Sequence, residues 1–136
     1  MLPKLERLKD KHLFNLAFKL GKTKKQKFNS NLLTLYYLFK EKDINRFIPK
    51  TAFIVGLRVD KKSNKRNLVK RRMKASYQIL RKKLINSYNS KISVLIWIAH
   101  PAITSATFQE IKDTMEALLN RLVKVENVGF SSRSKT

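Results

Sequence analysis

Between Lys61 and Tyr77 the chain reads KKSNKRNLVKRRMKASY, with eight lysines and arginines, two asparagines and no carboxylate. No carboxylate follows along the helical stretch to Leu84 or before Glu110. Like charges at helical spacing weaken a helix by about 0.2–0.5 kcal/mol per pair, so a merely solvated face normally mixes its signs. Ammonium and guanidinium groups at this density suit phosphate oxygens, and Asn67 adds neutral donor and acceptor groups beside them. Phosphate binding is therefore preferred to the solvated-face reading.

A second chemistry belongs to the aromatic residues Phe14, Phe18 and Tyr36. Two readings stay open: ordinary core packing, which aromatic stripes at helical spacing usually reflect, or a surface on which unpaired bases stack. Phe14 and Phe18 stand to one side of the leucine face of their helix, which keeps the second reading alive. A catalytic site is harder to assemble. His12 and His100 are the two histidines, far apart, and the nine acids are scattered, with Asp60 isolated among cations. Walker, GxGxxG and CxxC motifs are lacking. A protein-only nuclease would have to rely on Asp60 or His100 and is disfavoured against a binding protein.

The elements that must position these residues follow from periodicity. Asp10 suits the N-cap of a helix running to about Leu20 and stopped by Gly21. Residues 22–27 read as a basic loop or ragged strand. LLTLYYLF, residues 32–39, reads as a strand with Thr34, Tyr36 and Leu38 on one side and Leu33, Leu35 and Tyr37 on the other. AFIVGLRV, residues 52–59, reads as a second strand. From Arg66 to about Asn86, Val69, Met73, Tyr77, Leu80 and Leu84 make one buried helical stripe, with Asn67, Lys70, Arg71, Lys74 and Arg81 on a flank beside it. ISVLIWIA, residues 92–99, suits a strand covered on both faces. Thr107 and Glu110 form a capping box for a last helix whose buried face is Phe108, Ile111, Met115, Leu118 and Leu122. This order implies an α+β fold, helices packed on a small sheet. Residues 1–123 form a single RNA-binding domain in this reading, and 124–136 a flexible basic tail.

Bulk composition agrees. The 136 residues carry 31 Lys and Arg against 9 Asp and Glu, a formal charge of +22, yet 43% are hydrophobic, which supports a real core. Absence of cysteine excludes disulfides and Cys-ligated zinc. The N-terminal MLPKLERLKDKH is too charged for a signal peptide and the longest apolar run too short for a membrane span, so a soluble protein without a membrane partner is expected.

Three segments carry a resemblance. LPKLERLKDKHLFNLAFKLGK, VGLRVDKKSNKRNLVKRRMK and ISVLIWIAHPAITSATFQEIKDTMEALLNRL occur in the order and at the spacing of the protein subunit of bacterial-type ribonuclease P, which the chain resembles from Leu2 to about Leu122. The family's Arg-Asn-Arg stands here as Arg66, Asn67 and Leu68. Only Ser63, Asn64 and Lys65 separate it from the Lys61-Lys62 pair, where the family has about six residues. His100 occupies a position before proline where the family often has Arg. The resemblance implies an α/β sandwich like ribosomal protein S5 domain 2, with a mixed sheet and a left-handed strand-helix-strand crossover. It implies an accessory role in an endonuclease whose catalyst is RNA: the partners are ribonuclease P RNA and precursor tRNA, in a 1:1 ribonucleoprotein with a monomeric protein. Mg²⁺ would be held chiefly by the RNA and none by the protein alone. Arg66, Asn67, Lys70, Arg71 and Lys74, extended by Arg58, Lys61 and Lys62, would contact RNA. Phe14, Phe18 and Tyr36 would line the cleft for the 5′ leader. Bacterial cytoplasm is the implied compartment, a plastid or other organelle the alternative, and a ribosomal or general RNA-binding protein without an enzyme partner the alternative function.

If about six of these cations meet phosphates, counterion release predicts that RNA affinity falls by several decades over a modest rise in salt. A titration at stepped KCl concentrations measures the slope, and a flat response contradicts the cationic interface.

Overall fold

The computed structural model describes residues 7–23, 26–39, 50–87 and 92–135, and the side chains of 7–23, 26–38, 50–82, 92 and 94–122 among them. In chain order the elements are α1 (Lys11–Thr23), β1 (Lys27–Asn29), β2 (Leu33–Phe39), β3 (Lys50–Ile54), α2 (Ser63–Ser87), β4 (Ile92–Ala99), a 3-10 turn (Pro101–Ser105) and α3 (Phe108–Lys135). The four strands form one mixed sheet in the order β1-β2-β4-β3. β2 runs antiparallel to both β1 and β4, while β3 lies parallel to β4 with α2 as the crossover between them. The architecture is thus the α+β arrangement expected, a small mixed sheet with helices on both faces.

Strand alternation sorts the two cores. Leu33, Leu35 and Tyr37 of β2 join Phe53, Leu95 and Trp97 under α2 and α3, packing with Val69, Met73, Tyr77, Leu80, Ile111, Met115, Leu118 and Leu122. Leu38, Val94 and Ile96 face the other way, onto Ala17 and the half-buried Phe14, Phe18 and Tyr36 of the α1 side. Both faces of β4 are covered, which explains its unbroken apolar character. A hydrogen bond of 3.1 Å from the Thr51 hydroxyl to the Tyr77 phenol oxygen satisfies two buried polar groups between β3 and α2. Among the described residues no helix is long and apolar enough to cross a membrane.

Several boundaries differ from the sequence reading. α1 passes through Gly21 and ends at Thr23, so this glycine does not stop the helix. Its role is spatial: a Cβ there would meet the Tyr36 ring at Cε2 and lie 2.6 Å from Cδ2. β3 ends at Ile54, opposite Ile98, near the end of its partner strand β4. Residues 57–59 turn instead, with the Val59 amide on the Gly56 carbonyl at 3.1 Å. Arg58 therefore lies in a turn, not on a strand. α2 begins at Ser63 rather than Arg66, because its first turn carries no apolar residue by which periodicity would reveal it. Phe108 is 37% exposed and leaves the buried face of α3, on which Leu119 joins the core. The backbone of α3 continues past residue 123 to Lys135, where no proline interrupts it.

The expected caps form. The Asp10 carboxylate accepts the His12 amide at 2.9 Å. At α3 the Thr107 amide donates to Glu110 Oε1 at 3.0 Å and the Glu110 amide to Thr107 Oγ1 at 3.2 Å, a reciprocal box. The Thr107 backbone amide, and then its side chain, hold the Glu110 carboxyl below its ordinary value. A depressed folded-state value contributes stability above the unfolded value that is lost as pH falls through the folded one. A higher melting temperature for wild type than for Glu110→Gln is therefore expected above the ordinary glutamate range, and the difference shrinks as the pH falls below that range. A pH series of thermal melts measures it, and a constant difference contradicts the assignment.

Candidate nucleic-acid interface

β3 is an edge strand, and the segment before α1 is laid against it: Arg7 pairs with Thr51 and the Leu8 amide donates to the Thr51 carbonyl at 3.1 Å. Leu8 is buried, which anchors the segment and leaves Lys9 exposed. Along this edge opens a cleft of about 340 Å³ lined by residues 51–54 of β3, by Arg7, Leu8 and Lys9, by Phe14 of α1, and by Lys70 and Lys74 of α2. Four cations thus share the cleft with Phe14 and with a largely apolar floor that includes Phe53. Sequence reasoning found Phe14, Lys70 and Lys74 but missed Arg7 and Lys9. The adjoining apolar Leu8, ahead of the Asp10 cap, was the available signal that this segment packs down.

From Phe14 an aromatic strip leads away across the α1 face. Phe14 and Phe18 are 6.4 Å apart between ring centres, and Phe18 meets Tyr36 edge-on at 5.1 Å and 85°. Lys27 of β1 places its ammonium 5.8 Å from the Tyr36 ring centre. All three rings are half-buried, so each is held by the core on one side while keeping solvent-facing surface. The structure therefore brings Phe14, Phe18 and Tyr36 together, with only Phe14 lining the cleft itself.

On α2 the spacing sets Asn67, Lys70, Arg71 and Lys74 along one flank. Asn67 and Arg71 are exposed and Lys70 and Lys74 half-buried in the cleft wall. Leu68, 43% exposed, lies on the opposite flank with Arg72, whose Nη1 donates to the Ala106 carbonyl at 3.4 Å. The replacement of a cation by Leu68 consequently falls outside the basic flank. Lys61 and Lys62 are exposed at the start of α2, with Arg58 exposed in the turn before them. Arg66 differs from the rest: its Nη1 donates to the carbonyls of Asp60 and Lys61, each at 2.9 Å.

Among the described residues no carboxylate lines the cleft or lies on α2. Of the five with described side chains, Asp113, Glu116 and Glu110 belong to α3, and Asp10 and Asp60 are engaged as caps, Asp60 accepting the Lys62 amide at 2.9 Å. Among the described residues no three His, Asp or Glu side chains converge as a metal site. His100 is engaged locally: Thr34 donates to Asn29 Oδ1 at 2.8 Å, which makes the 2.6 Å contact between Thr34 Oγ1 and His100 Nε2 a donation from the ring.

A mixed sheet bearing a carboxylate-poor basic helix, an aromatic strip and a cation-rimmed cleft defines a basic α+β protein equipped for a polyanion. The family model described as ribonuclease P matches residues 2–123, and the chain belongs to that family, which supplies the protein component of a tRNA-processing holoenzyme. It is 30% identical over 120 residues to the ribonuclease P protein component of Clostridium kluyveri, covering 85% of this chain and 92% of that protein. To that of Caldanaerobacter subterraneus subsp. tengcongensis it is 29% identical over 124 residues, covering 89% and 92%. The fold is shared with the Staphylococcus aureus RNase P protein, at a TM-score of 0.67, 17% identity, and coverage of 86% of this chain and 94% of that one. For the Thermotoga maritima protein the corresponding figures are 0.65, 17%, 85% and 96%.

The fit of Gly21 against Tyr36 links the strip to stability. Gly21→Ala must displace the ring or the helix, at a cost of about 1–3 kcal/mol. Urea denaturation measures this as a lowered midpoint, and an unchanged midpoint contradicts the tight contact.

Proposed function

We propose that the chain is the RNA-binding subunit of a ribonuclease P ribonucleoprotein. In this reading its α2 flank docks on the catalytic RNA and its cleft and aromatic strip receive the single-stranded 5′ leader of precursor tRNA. The observation that carries the proposal is the cleft itself: Phe14, Arg7, Lys9, Lys70 and Lys74 line one cavity together with apolar residues of β3. An unpaired nucleotide has a π-face and a phosphate, and a ring beside cations meets both. Phe18 and Tyr36 continue the track with Lys27 beside them. Stacking on such rings is sequence-tolerant because every base offers a face, which suits a subunit serving many precursors. Asn67, Arg71, Lys61, Lys62 and Arg58 extend the phosphate-binding surface beyond the cleft.

The bond-breaking step is assigned to the RNA partner. The described side chains lack a converging carboxylate set, and in this reading Mg²⁺ would be held chiefly by RNA phosphates, whose mutual repulsion the protein's cations reduce. The subunit holds the leader and lowers the Mg²⁺ the ribozyme needs. One monomer per RNA, in bacterial cytoplasm, is the assembly proposed.

Added to a bacterial ribonuclease P RNA at low Mg²⁺, the protein is expected to stimulate release of the 5′ leader, and protein without RNA to release none. Phe14→Ala should weaken binding of precursor tRNA with a long leader, with about 1–3 kcal/mol lost per unstacked base, while leaderless tRNA binds as before. Absence of stimulation favours a general RNA-binding role, and cleavage by the protein alone would overturn the assignment.

A further inference from the structure

The link between β3 and α2 carries three exposed cations, Arg58, Lys61 and Lys62, within five residues. Mutual repulsion would splay such a segment, yet it is gripped at three points. Val59, 8% exposed, anchors one end in the core, its amide bonded to the Gly56 carbonyl. Asp60 Oδ1 accepts the Lys62 amide at 2.9 Å, folding the turn on itself. Arg66, one turn into α2, places a single Nη1 on both the Asp60 and the Lys61 carbonyls at 2.9 Å, while its own amide donates to the Lys62 carbonyl at 3.1 Å. The Arg66 guanidinium is turned back onto the backbone that leads into its own helix, and the side chain is half-buried.

We propose that Asp60 and Arg66 are positioning residues that lock residues 58–62, so that Arg58, Lys61 and Lys62 meet RNA phosphates as a preformed set. Arg66 on this view is not itself a phosphate contact. The inference rests on the reading of this surface as an RNA interface and deepens it. Preorganisation is the physical basis: cations held in register before binding do not have to be ordered at the moment of binding. Asp60, although the sole acid of the segment and of unfavourable sign for an anion, strengthens binding through the geometry it imposes.

The sign of that effect supplies the test. In a pure charge picture Asp60→Ala raises the net charge and tightens binding, whereas Arg66→Ala loosens it. Under the proposal both substitutions raise the Kd for a bacterial ribonuclease P RNA, each roughly three- to tenfold at fixed salt. Asp60→Asn keeps the accepting oxygen, removes the charge, and binds at least as tightly as wild type. Each damaging substitution is also less than additive with the double change Lys61→Ala and Lys62→Ala, since it acts through the same contacts. Arg66→Ala lowers the logarithmic salt slope by more than the value of about one that a single lost contact removes. Accelerated hydrogen exchange at the Lys62 amide in Asp60→Ala reports the released turn. Tightening by Asp60→Ala, or full additivity with the lysine changes, overturns the proposal while leaving the RNA interface standing. Failure of wild type to bind this RNA in a salt-dependent way removes the interface itself. Should Arg66→Ala not fold, the comparison of Asp60→Ala with Asp60→Asn decides the matter alone.

Discussion

One helix has to keep a dense row of like charges in register, and burial of its other side makes this tenable. Val69, Met73, Tyr77 and Leu80 of α2 are each 3% exposed or less. A fully buried side chain of this size contributes roughly 1.5–3 kcal/mol, against a few tenths lost to each like-charge pair, about 0.2–0.5. Burial wins by a wide margin, so repulsion cannot lift the helix from the sheet. It acts instead as a standing preference for a polyanion, because docking on phosphate relieves it. A flexible basic tail would have similar attraction but no register. Here the Thr51–Tyr77 hydrogen bond and the crossover between β3 and β4 set where each cation points.

The same economy of sign governs the acids. Asp10, Asp60 and Glu110 each accept a backbone amide at or ahead of a helix start, where the aligned peptide dipoles favour negative charge. Among the described residues, Asp10 and Asp60 are thereby engaged by the backbone at the approaches to α1 and α2, the helices that carry Phe14 and the basic flank. Sign segregation and helix capping are one arrangement viewed at two scales.

The aromatic strip is partly core and partly surface, which leaves it compatible with the stacking role proposed for it. Phe14, Phe18 and Tyr36 pack on Ala17, Leu38, Val94 and Ile96 along one edge and keep solvent-facing surface on the other. A ring fixed by the core on one side offers a base a rigid face with little entropy left to lose on binding. Gly21 belongs to this arrangement, since only the absence of a Cβ lets α1 approach Tyr36 so closely.

Much of the scaffold was legible because it is encoded in short-range periodicity. The α2 stripe, the division of β2 into Leu33, Leu35, Tyr37 and Thr34, Tyr36, Leu38, and the Thr107–Glu110 box each repeat or pair within a few residues. They were read correctly without knowledge of the rest, Leu84 of the stripe lying outside the described side chains. What escaped depended on pairing between distant segments. Gly21 of α1 answers to the Tyr36 ring of β2, on the sheet face that α1 covers. β3 stops at Ile54 near where β4 runs out, and Arg7 and Lys9 enter the cleft because Leu8 docks on Thr51. Arg66 is a local exception: its guanidinium turns back onto the Asp60 and Lys61 carbonyls, six and five residues earlier, a contact that residue type alone does not reveal. Local pattern determines which face of an element is apolar and which is charged. Only the closed fold decides what that face is set against, because the partners converge from parts of the chain whose spacing carries no period.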